Sequence, residues 1–240
     1  MVTKNKAYSV LSNFYDTLMS GYPYDKVVDK IVTTVTGKGI DIGTGSGRIA
    51  IALAKRGLRV VGVDPSCEML EVAKQNAQKE NVKIIFAQGD AESTQLTKSD
   101  FVTATCDVVN YLSSKNAVKS FFSKVYSALK PNGYFIFDIS SSYKLHSMAD
   151  EQYFEDRDDL TYLWCNSLKG DKLTMDVAFF LPENDIYKRV DEKHVMLVLE
   201  NDFVMDTLTN LGFSVKVYGR NLAKLTQNSD RIFYIAKKDG

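Results

Sequence analysis

Three glycines at every second position, Gly43, Gly45 and Gly47, follow the run Ile40-Asp41-Ile42. Glycine at such a place permits a tight turn and lets backbone N–H groups approach a ligand lying across a strand tip. At 64 − 47 = 17 residues further on, the run Val60-Val61-Gly62-Val63 ends in Asp64. A carboxylate there accepts hydrogen bonds from both hydroxyls of a ribose. A third apolar run leads into Gly89-Asp90-Ala91-Glu92, which adds another carboxylate and a backbone N–H. One glycine triplet is weak; three strand tips agreeing point to a nucleoside site.

The segment Gly45-Ser46-Gly47-Arg48-Ile49-Ala50 also satisfies a dinucleotide fingerprint with Ala in its third place, so an NAD(P)-dependent oxidoreductase is the competing reading. Asp41 counts against it. A carboxylate at the end of the first strand repels a pyrophosphate and suits a ligand bearing an ammonium and a sulfonium. Tyr126-x-x-x-Lys130 resembles a dehydrogenase pair but stands just before Pro131-Asn132-Gly133. It reads as one helix face with a cation at the helix C-terminus.

These residues need strands and helices to hold them. Apolar spacing predicts helices over 9–19 and, after Pro23, through Val27, Val28, Ile31, Val32 and Val35. From residue 39 short apolar runs alternate with helical windows: strands over 39–42, 59–63, 83–86, 101–105 and 134–139, helices over 48–55, 66–80 and 115–129. Such alternation means βαβ units and a parallel sheet. It stops near Ser147. Three consecutive strands follow, over 162–167, 173–181 and 187–199, then a helix over 202–210 and strands over 214–218 and 231–236. The expected organisation is a Rossmann-like α/β core, doubly wound on a mostly parallel seven-stranded sheet, over 1–148 and 201–240. A small antiparallel β insertion occupies 149–200, serving as acceptor lid or dimer surface.

Composition narrows the partners. Thirty Lys+Arg balance thirty Asp+Glu, unlike the basic excess of most nucleic-acid binders. No run reaches the length of a membrane span and no signal peptide is legible, so a cytoplasmic address is expected. Cys67, Cys106 and Cys165 lack a second Cys or His at ligand spacing, so neither a disulfide framework nor a metal site is expected.

Over roughly residues 8–139 and the closing strands, the chain resembles the class I S-adenosylmethionine-dependent methyltransferases. The shared motifs are the Asp-x-Gly-x-Gly-x-Gly run, Asp64, Gly89-Asp90-Ala91, the segment from Thr105 to Leu112, and Ala128-Leu129-Lys130-Pro131-Asn132-Gly133-Tyr134. More narrowly it resembles a group of small bacterial methyltransferases similar to sugar-amine N-methyltransferases. That likeness rests on Phe-Tyr-Asp-x-Leu-Met at 14–19, Cys-Asp-x-x-Asn-Tyr-Leu at 106–112 and Arg-x-Asp-Glu-x-His at 189–194. The resemblance implies S-adenosylmethionine as cofactor and S-adenosylhomocysteine as product. Gly43, Gly45 and Gly47 would run beside methionine and ribose, with Asp41 near the ammonium. Asp64 would hold the ribose, Met69 would pack on adenine, and Asp90 and Ala91 would read its edge. Cys106 would offer its carbonyl to the ammonium, and Tyr15 would fold over the cofactor. Asn110 would contact the cofactor, and both it and Tyr111 follow the fourth strand, where such enzymes position the acceptor. The sequence departs from the group at Leu197 and Leu199, where Arg and Tyr are frequent, which implies a less polar acceptor site.

A sulfonium is already a good leaving group, so alignment and exclusion of water are the main tasks. An amine must be neutral to attack and an alcohol needs a base. Candidate base or orienting residues are Tyr111, His194, Tyr15 and His146. The histidines retain the alternative of structural or solvated roles, Asp107 that of a loop cap, and Asp138 with the serines after it that of a helix cap. The expected function is methyl transfer to N or O of a small molecule, with a tRNA or rRNA substrate as an alternative and a homodimer through the insertion as a possible assembly.

Overall fold

The chain's computed structural model describes residues 21–184 and 186–240. Helix α1 (Tyr24–Thr34) precedes a run of alternating elements: β1 (Lys38–Ile42), α2 (Arg48–Lys55), β2 (Arg59–Asp64), α3 (Cys67–Lys79), β3 (Ile85–Gln88) and β4 (Ser99–Ala104). A 3-10 turn (Val108–Tyr111), α4 (Lys115–Ala128), β5 (Leu129–Ser140) and α5 (Ser142–Ser147) follow. The insertion comprises β6 (Gln152–Asp156), β7 (Thr161–Lys169), β8 (Lys172–Glu183) and β9 (Ile186–Leu197). Helix α6 (Asn201–Asn210), β10 (Phe213–Tyr218), a second 3-10 turn (Arg220–Leu222) and β11 (Arg231–Lys238) close the described chain.

Strands β10-β11-β5-β4-β1-β2-β3 form one seven-stranded sheet in that order. The first five strands pair in parallel, and β11 runs antiparallel to both β5 and β10. The chain winds outward from β1 through β2 to β3, then returns to β4 on β1's other side. That reversal opens a crevice beyond the carboxyl ends of β1 and β4.

Each face of the sheet buries one stripe of helix. On one face Val118, Phe121, Phe122 and Val125 of α4 meet Val204 and Leu208 of α6 over Phe135 and Phe137. The Phe137 ring stacks on Phe135 at 4.5 Å and on Tyr234 at 4.7 Å, and such pairs add about 0.5–1.5 kcal/mol beyond area burial. On the other face Val27, Val28 and Ile31 of α1 and Ile49 and Leu53 of α2 cover Phe101, Ile136 and Phe233. Serines stop the helices from fraying. Ser66 accepts from the Met69 N–H, Ser114 from Ala117 and Ser141 from Lys144, each worth about 1 kcal/mol. The helix that follows Asp138 is thus capped by Ser141; Asp138 itself has other partners, given below.

The insertion is a separate sheet in the order β6-β7-β8-β9, antiparallel throughout. It has four strands where three were expected. Strand β6, Gln-Tyr-Phe-Glu-Asp, is exposed along most of its length, so no apolar alternation marks it in the sequence. One face of the sheet buries Leu160, Val177, Phe179 and Val190 in one cluster and Leu173, Met175 and Met196 in another with Leu145 of α5. The other face exposes Leu163 and Val195 beside the Lys193–Asp176 pair. Leu197 and Leu199 line neither of the two cavities described below. They are 1% and 0% exposed inside the main core cluster, which corrects the inference drawn from them.

Candidate functional site

A cavity of about 340 Å³ lies at the crevice, bordered by Gly43 and Gly45 after β1, Asp64 and Met69 after β2, Asp90 and Ala91 after β3, and Cys106 and Tyr111 after β4. The residues expected from three strand tips therefore meet at one hollow.

Its floor is tied together by carboxylates. Asp64 Oδ2 accepts the Gly45 N–H at 2.8 Å and Oδ1 accepts the Ser66 N–H at 2.9 Å. An ionised carboxylate has about four lone-pair sites, so two remain for a ligand. Burial pushes the Asp64 carboxyl above its ordinary value, against those two bonds. Asp90 accepts the Glu92 and Ser93 N–H groups at 2.8 Å and the Ser93 hydroxyl, which hold its carboxyl below the ordinary range. Lys124 braces the same loop, donating to the Glu92 carbonyl at 2.6 Å.

Asp41 sits one layer down. It is 1% exposed and does not border the cavity; Thr44 and Thr103 hydroxyls donate to it at 2.7 and 2.6 Å. Burial drives its carboxyl up to about 6 despite those bonds. Gly47 also lies behind the cavity. It opens α2 at φ 80°, and a Cβ there would meet Ala73 at 3.0 Å, so its smallness lets α2 approach α3. Gly45 is different. Its φ is 54° and an added Cβ would have nothing within 4 Å, so this backbone faces open cavity.

Past β4 two successive non-glycine residues, Cys106 and Asp107, adopt left-handed backbone at φ 60° and 70°, at a cost of about 1–3 kcal/mol each. Arg231 of β11 holds the turn in place through Asp107, and also donates to Asp138 at 3.0 Å. Asp138 further accepts the Asp107 N–H at 3.0 Å and the Tyr22 hydroxyl at 2.6 Å. Burial opposes the charge on Asp107, yet the Arg231 guanidinium prevails and keeps that carboxyl low. Burial raises the Cys106 thiol far above its ordinary value, which disfavours the thiolate there.

Asn110, expected at the cofactor or acceptor, does not border the cavity. Its amide donates to the Ser140 and Leu197 carbonyls at 3.2 and 2.9 Å, and its oxygen accepts the Ser140 N–H at 3.0 Å. It is a fully buried bridge between core and insertion. His146 is exposed on α5 with Nδ1 2.8 Å from the Ser142 carbonyl, and borders neither cavity described here. Tyr15 lies outside the described residues.

Tyr111 borders a second, narrower cavity of about 40 Å³, together with Tyr162, Trp164, Met175, Phe179 and His194 of the insertion. The Tyr111 hydroxyl is 3.4 Å from His194 Nδ1, and His194 Nε2 is 3.3 Å from Glu192. His194 is buried, neither solvated nor remote. Glu192 was not singled out from the sequence, although Val190, Glu192 and His194 alternate along one strand and the period of two places it beside His194. Arg231 was missed because nothing local distinguishes it. Among the described residues no group of three or more His, Cys, Asp or Glu could hold a metal ion, and no helix is long and apolar enough to cross a membrane.

The hollow fits an adenosyl ligand with a charged tail: open space over Gly45, apolar walls at Met69 and Ala91, and lone pairs left on Asp64. With the reversed sheet order and the separate antiparallel insertion, this defines a Rossmann-like S-adenosylmethionine-dependent methyltransferase.

Comparison agrees. Residues 40–133 match the methyltransferase domain family. The chain is 34% identical over 242 residues to YqeM of Bacillus subtilis (strain 168), which is named as a methyltransferase, covering 96% of this chain and 97% of that protein. A crystal structure of an S-adenosylmethionine-dependent methyltransferase from Clostridium acetobutylicum ATCC 824 aligns with a TM-score of 0.87 at 27% identity, over 97% of this chain and 99% of that one. The sugar N-methyltransferase KedS8 from Streptoalloteichus sp ATCC 53650 shares the fold at TM-score 0.80 and 11% identity, over 100% and 97% of the two chains. The chain belongs to the methyltransferase family, and the oxidoreductase reading of its glycine fingerprint is set aside.

Proposed function

We propose that the chain moves the methyl group of S-adenosylmethionine to N or O of a small molecule, with donor and acceptor on opposite sides of Tyr111. The observation that carries this reading is that Tyr111 borders both the larger cavity and the insertion's smaller one. The donor, when bound, supplies an activated methyl on a sulfonium. Everything else falls to the protein. Gly45 and Asp64 seat the ribose, Met69 and Ala91 flank adenine, and Asp90 shapes the loop at its edge. Asp41 supports the glycine loop through Thr44, its charge beneath the methionine tail, and the Cys106 carbonyl faces the ammonium. Tyr162, Trp164 and Phe179 exclude water from the acceptor's reacting group.

The balanced net charge favours a small metabolite over nucleic acid, and the absence of a spanning helix among the described residues accords with work in the cytoplasm. The exposed apolar residues of the insertion, Leu163 and Val195 among them, would serve a homodimer.

Incubation with methyl-labelled S-adenosylmethionine and panels of amines, hydroxy compounds and bulk tRNA tests the reading. Label is expected in a small amine or hydroxy compound, with S-adenosylhomocysteine released in equal amount. Label appearing in tRNA alone would overturn it.

A further inference from the structure

We propose that the smaller cavity is a cation box whose rings hold the alkylated ammonium formed from an amine acceptor, so that nitrogen, not oxygen, receives the methyl group. For the reaction this rests on the reading that the acceptor meets Tyr111; the binding of a cation does not depend on it.

Strand register assembles the box. Tyr162 and Trp164 are two residues apart on β7 and so share a face. Strand β8 sets Phe179 opposite Tyr162 and Val177 opposite Trp164, with Met175 two residues from Val177. All five border the cavity. The Tyr162 and Phe179 ring centroids are 6.3 Å apart with planes at 60°. A cation placed between them lies inside the distance of about 6 Å over which a ring attracts positive charge. Trp164 adds an indole, the ring best suited to that attraction. Each of these two polar rings spends its one polar hydrogen on a residue that does not border the cavity. Trp164 Nε1 donates to Asn166 at 2.6 Å, and the Tyr162 hydroxyl donates to Glu155 at 2.8 Å. Neither hydrogen is left to bond a hydroxyl compound in the cavity. Burial, then the Glu155 bond and charge, push the Tyr162 phenol up to about 12. The ring therefore stays a neutral phenol, and the carboxylate at its hydroxyl enriches it in electrons.

Size and chemistry both select the ligand. A cavity of about 40 Å³ exceeds the about 10–15 Å³ that one water needs. It falls well short of the about 300–1,000 Å³ of a whole-ligand pocket, so it takes one group of a larger molecule. An ammonium with N–H bonds loses hydration when ringed by carbon, and each methyl in place of a hydrogen lessens that loss. The attraction between charge and rings persists. The box therefore grips a methylated nitrogen better than a bare one.

Methyl transfer to an amine creates that charge. The nitrogen lone pair forms the N–C bond as the C–S bond breaks with its pair going to sulfur. Positive charge passes from the sulfonium to the acceptor nitrogen and is complete there only after transfer. An interaction that strengthens along this path speeds the step. A hydroxyl acceptor, having lost its proton, ends as a neutral ether and gains nothing from the rings.

Trp164 borders the box and is the sequence's one tryptophan, so its emission reads binding on the full chain. Tetramethylammonium chloride is expected to change that emission saturably, against sodium chloride at equal ionic strength. Choline is expected to bind about 10-fold tighter than 3,3-dimethylbutan-1-ol, in which carbon replaces the charged nitrogen at the same size. Phe179→Leu is expected to narrow that ratio, and Tyr162→Phe, which keeps the ring and loses the Glu155 bond, to narrow it less. Equal binding of choline and its carbon analogue would overturn the proposal, since the cavity would then be merely apolar. So would an emission that tetramethylammonium leaves unchanged. Both results come from the wild type and need no variant to fold. Methyl-labelled turnover separates the two readings. Label in hydroxyl compounds alone overturns the cation box in the reaction and leaves methyl transfer to a small molecule standing. Failure of the wild type to bind S-adenosylhomocysteine in calorimetry sinks methyl transfer and leaves the cation titration standing.

Discussion

Arg231 grips Asp107 with both terminal nitrogens, Nη1 to Oδ1 at 2.8 Å and Nη2 to Oδ2 at 2.9 Å. The pair joins β11, at the end of the chain, to the left-handed turn that borders the larger cavity. Both side chains are largely buried, and Nη1 is shared with Asp138. Removing one partner of a buried pair strands the other charge at about 3–5 kcal/mol. Arg231→Met is therefore expected to lower unfolding free energy in urea by that amount and to weaken S-adenosylhomocysteine binding. The exposed Arg56–Asp29 pair is the control, where Arg56→Met should change stability by less than about 1 kcal/mol. Equal losses in the two variants would show that burial does not govern the Arg231 pair.

Asp41 makes stability depend on pH in the direction opposite to most carboxylates. Its folded carboxyl is raised from 3.8 to about 6, so between those values the folded state binds more protons than the unfolded one. Stability then falls as pH rises through that window, and the full cost of a buried charge is present above about 6. Two pKa units correspond to about 3 kcal/mol. Asp41→Asn keeps an acceptor for Thr44 or Thr103 without the charge. Its stability relative to wild type should grow from pH 4 to pH 6.5 in paired urea titrations. A difference flat across that range would show that Asp41 stays charged or that another group titrates.

Gly45 and Gly47 separate a ligand glycine from a packing glycine. Both have left-handed backbone, so alanine costs about 1–2 kcal/mol at either. At Gly45 the added methyl enters open cavity, whereas at Gly47 it meets Ala73, Ile51 and Phe86 at 3.0–3.2 Å. Gly45→Ala should lose S-adenosylhomocysteine affinity with only the backbone cost in stability. Gly47→Ala should lose more stability. Calorimetry and urea unfolding on the two proteins read this directly, and an affinity unchanged in Gly45→Ala would remove Gly45 from the binding site.

Trp164 is the sequence's one tryptophan and it borders the smaller cavity, its indole N–H donating to Asn166 at 2.6 Å. Its emission therefore reports on that cavity. Compounds that shift the emission in the presence of S-adenosylhomocysteine should be those that release it in turnover assays. No overlap between the two sets would place the acceptor elsewhere.

The glycine run, Asp64 and the β–α alternation were legible because they are local. A strand ending in a carboxylate before a helix-opening glycine constrains only its own neighbourhood. Helix α3 illustrates this, with Ser66 as cap and Met69, Leu70 and Ala73 buried as their spacing requires. Strand β6 was not legible, because its side chains are mostly exposed and it gains its place by pairing with β7. Asn110 misled for a related reason. It stands next to Tyr111 in a motif, yet its amide is spent on backbone groups 30 and 87 residues away. Leu197 ends β9 and Leu199 follows it, where the chain rejoins the main core, so both pack there and not beside His194. Long-range pairing decides such cases, and a single residue's neighbours in sequence do not report it.

The single Asn110 carboxamide fastens the chain where it departs from the core at Ser140 and where it comes back at Leu197. One side chain thus sets the distance between the points where that stretch leaves the core and rejoins it, beside further ties such as the Ser141 N–H to the Asp230 carbonyl. Swapping residues 141–196 for the corresponding stretch of another methyltransferase, with Asn110 retained, therefore tests whether that spacing alone seats a foreign sheet on the α/β core.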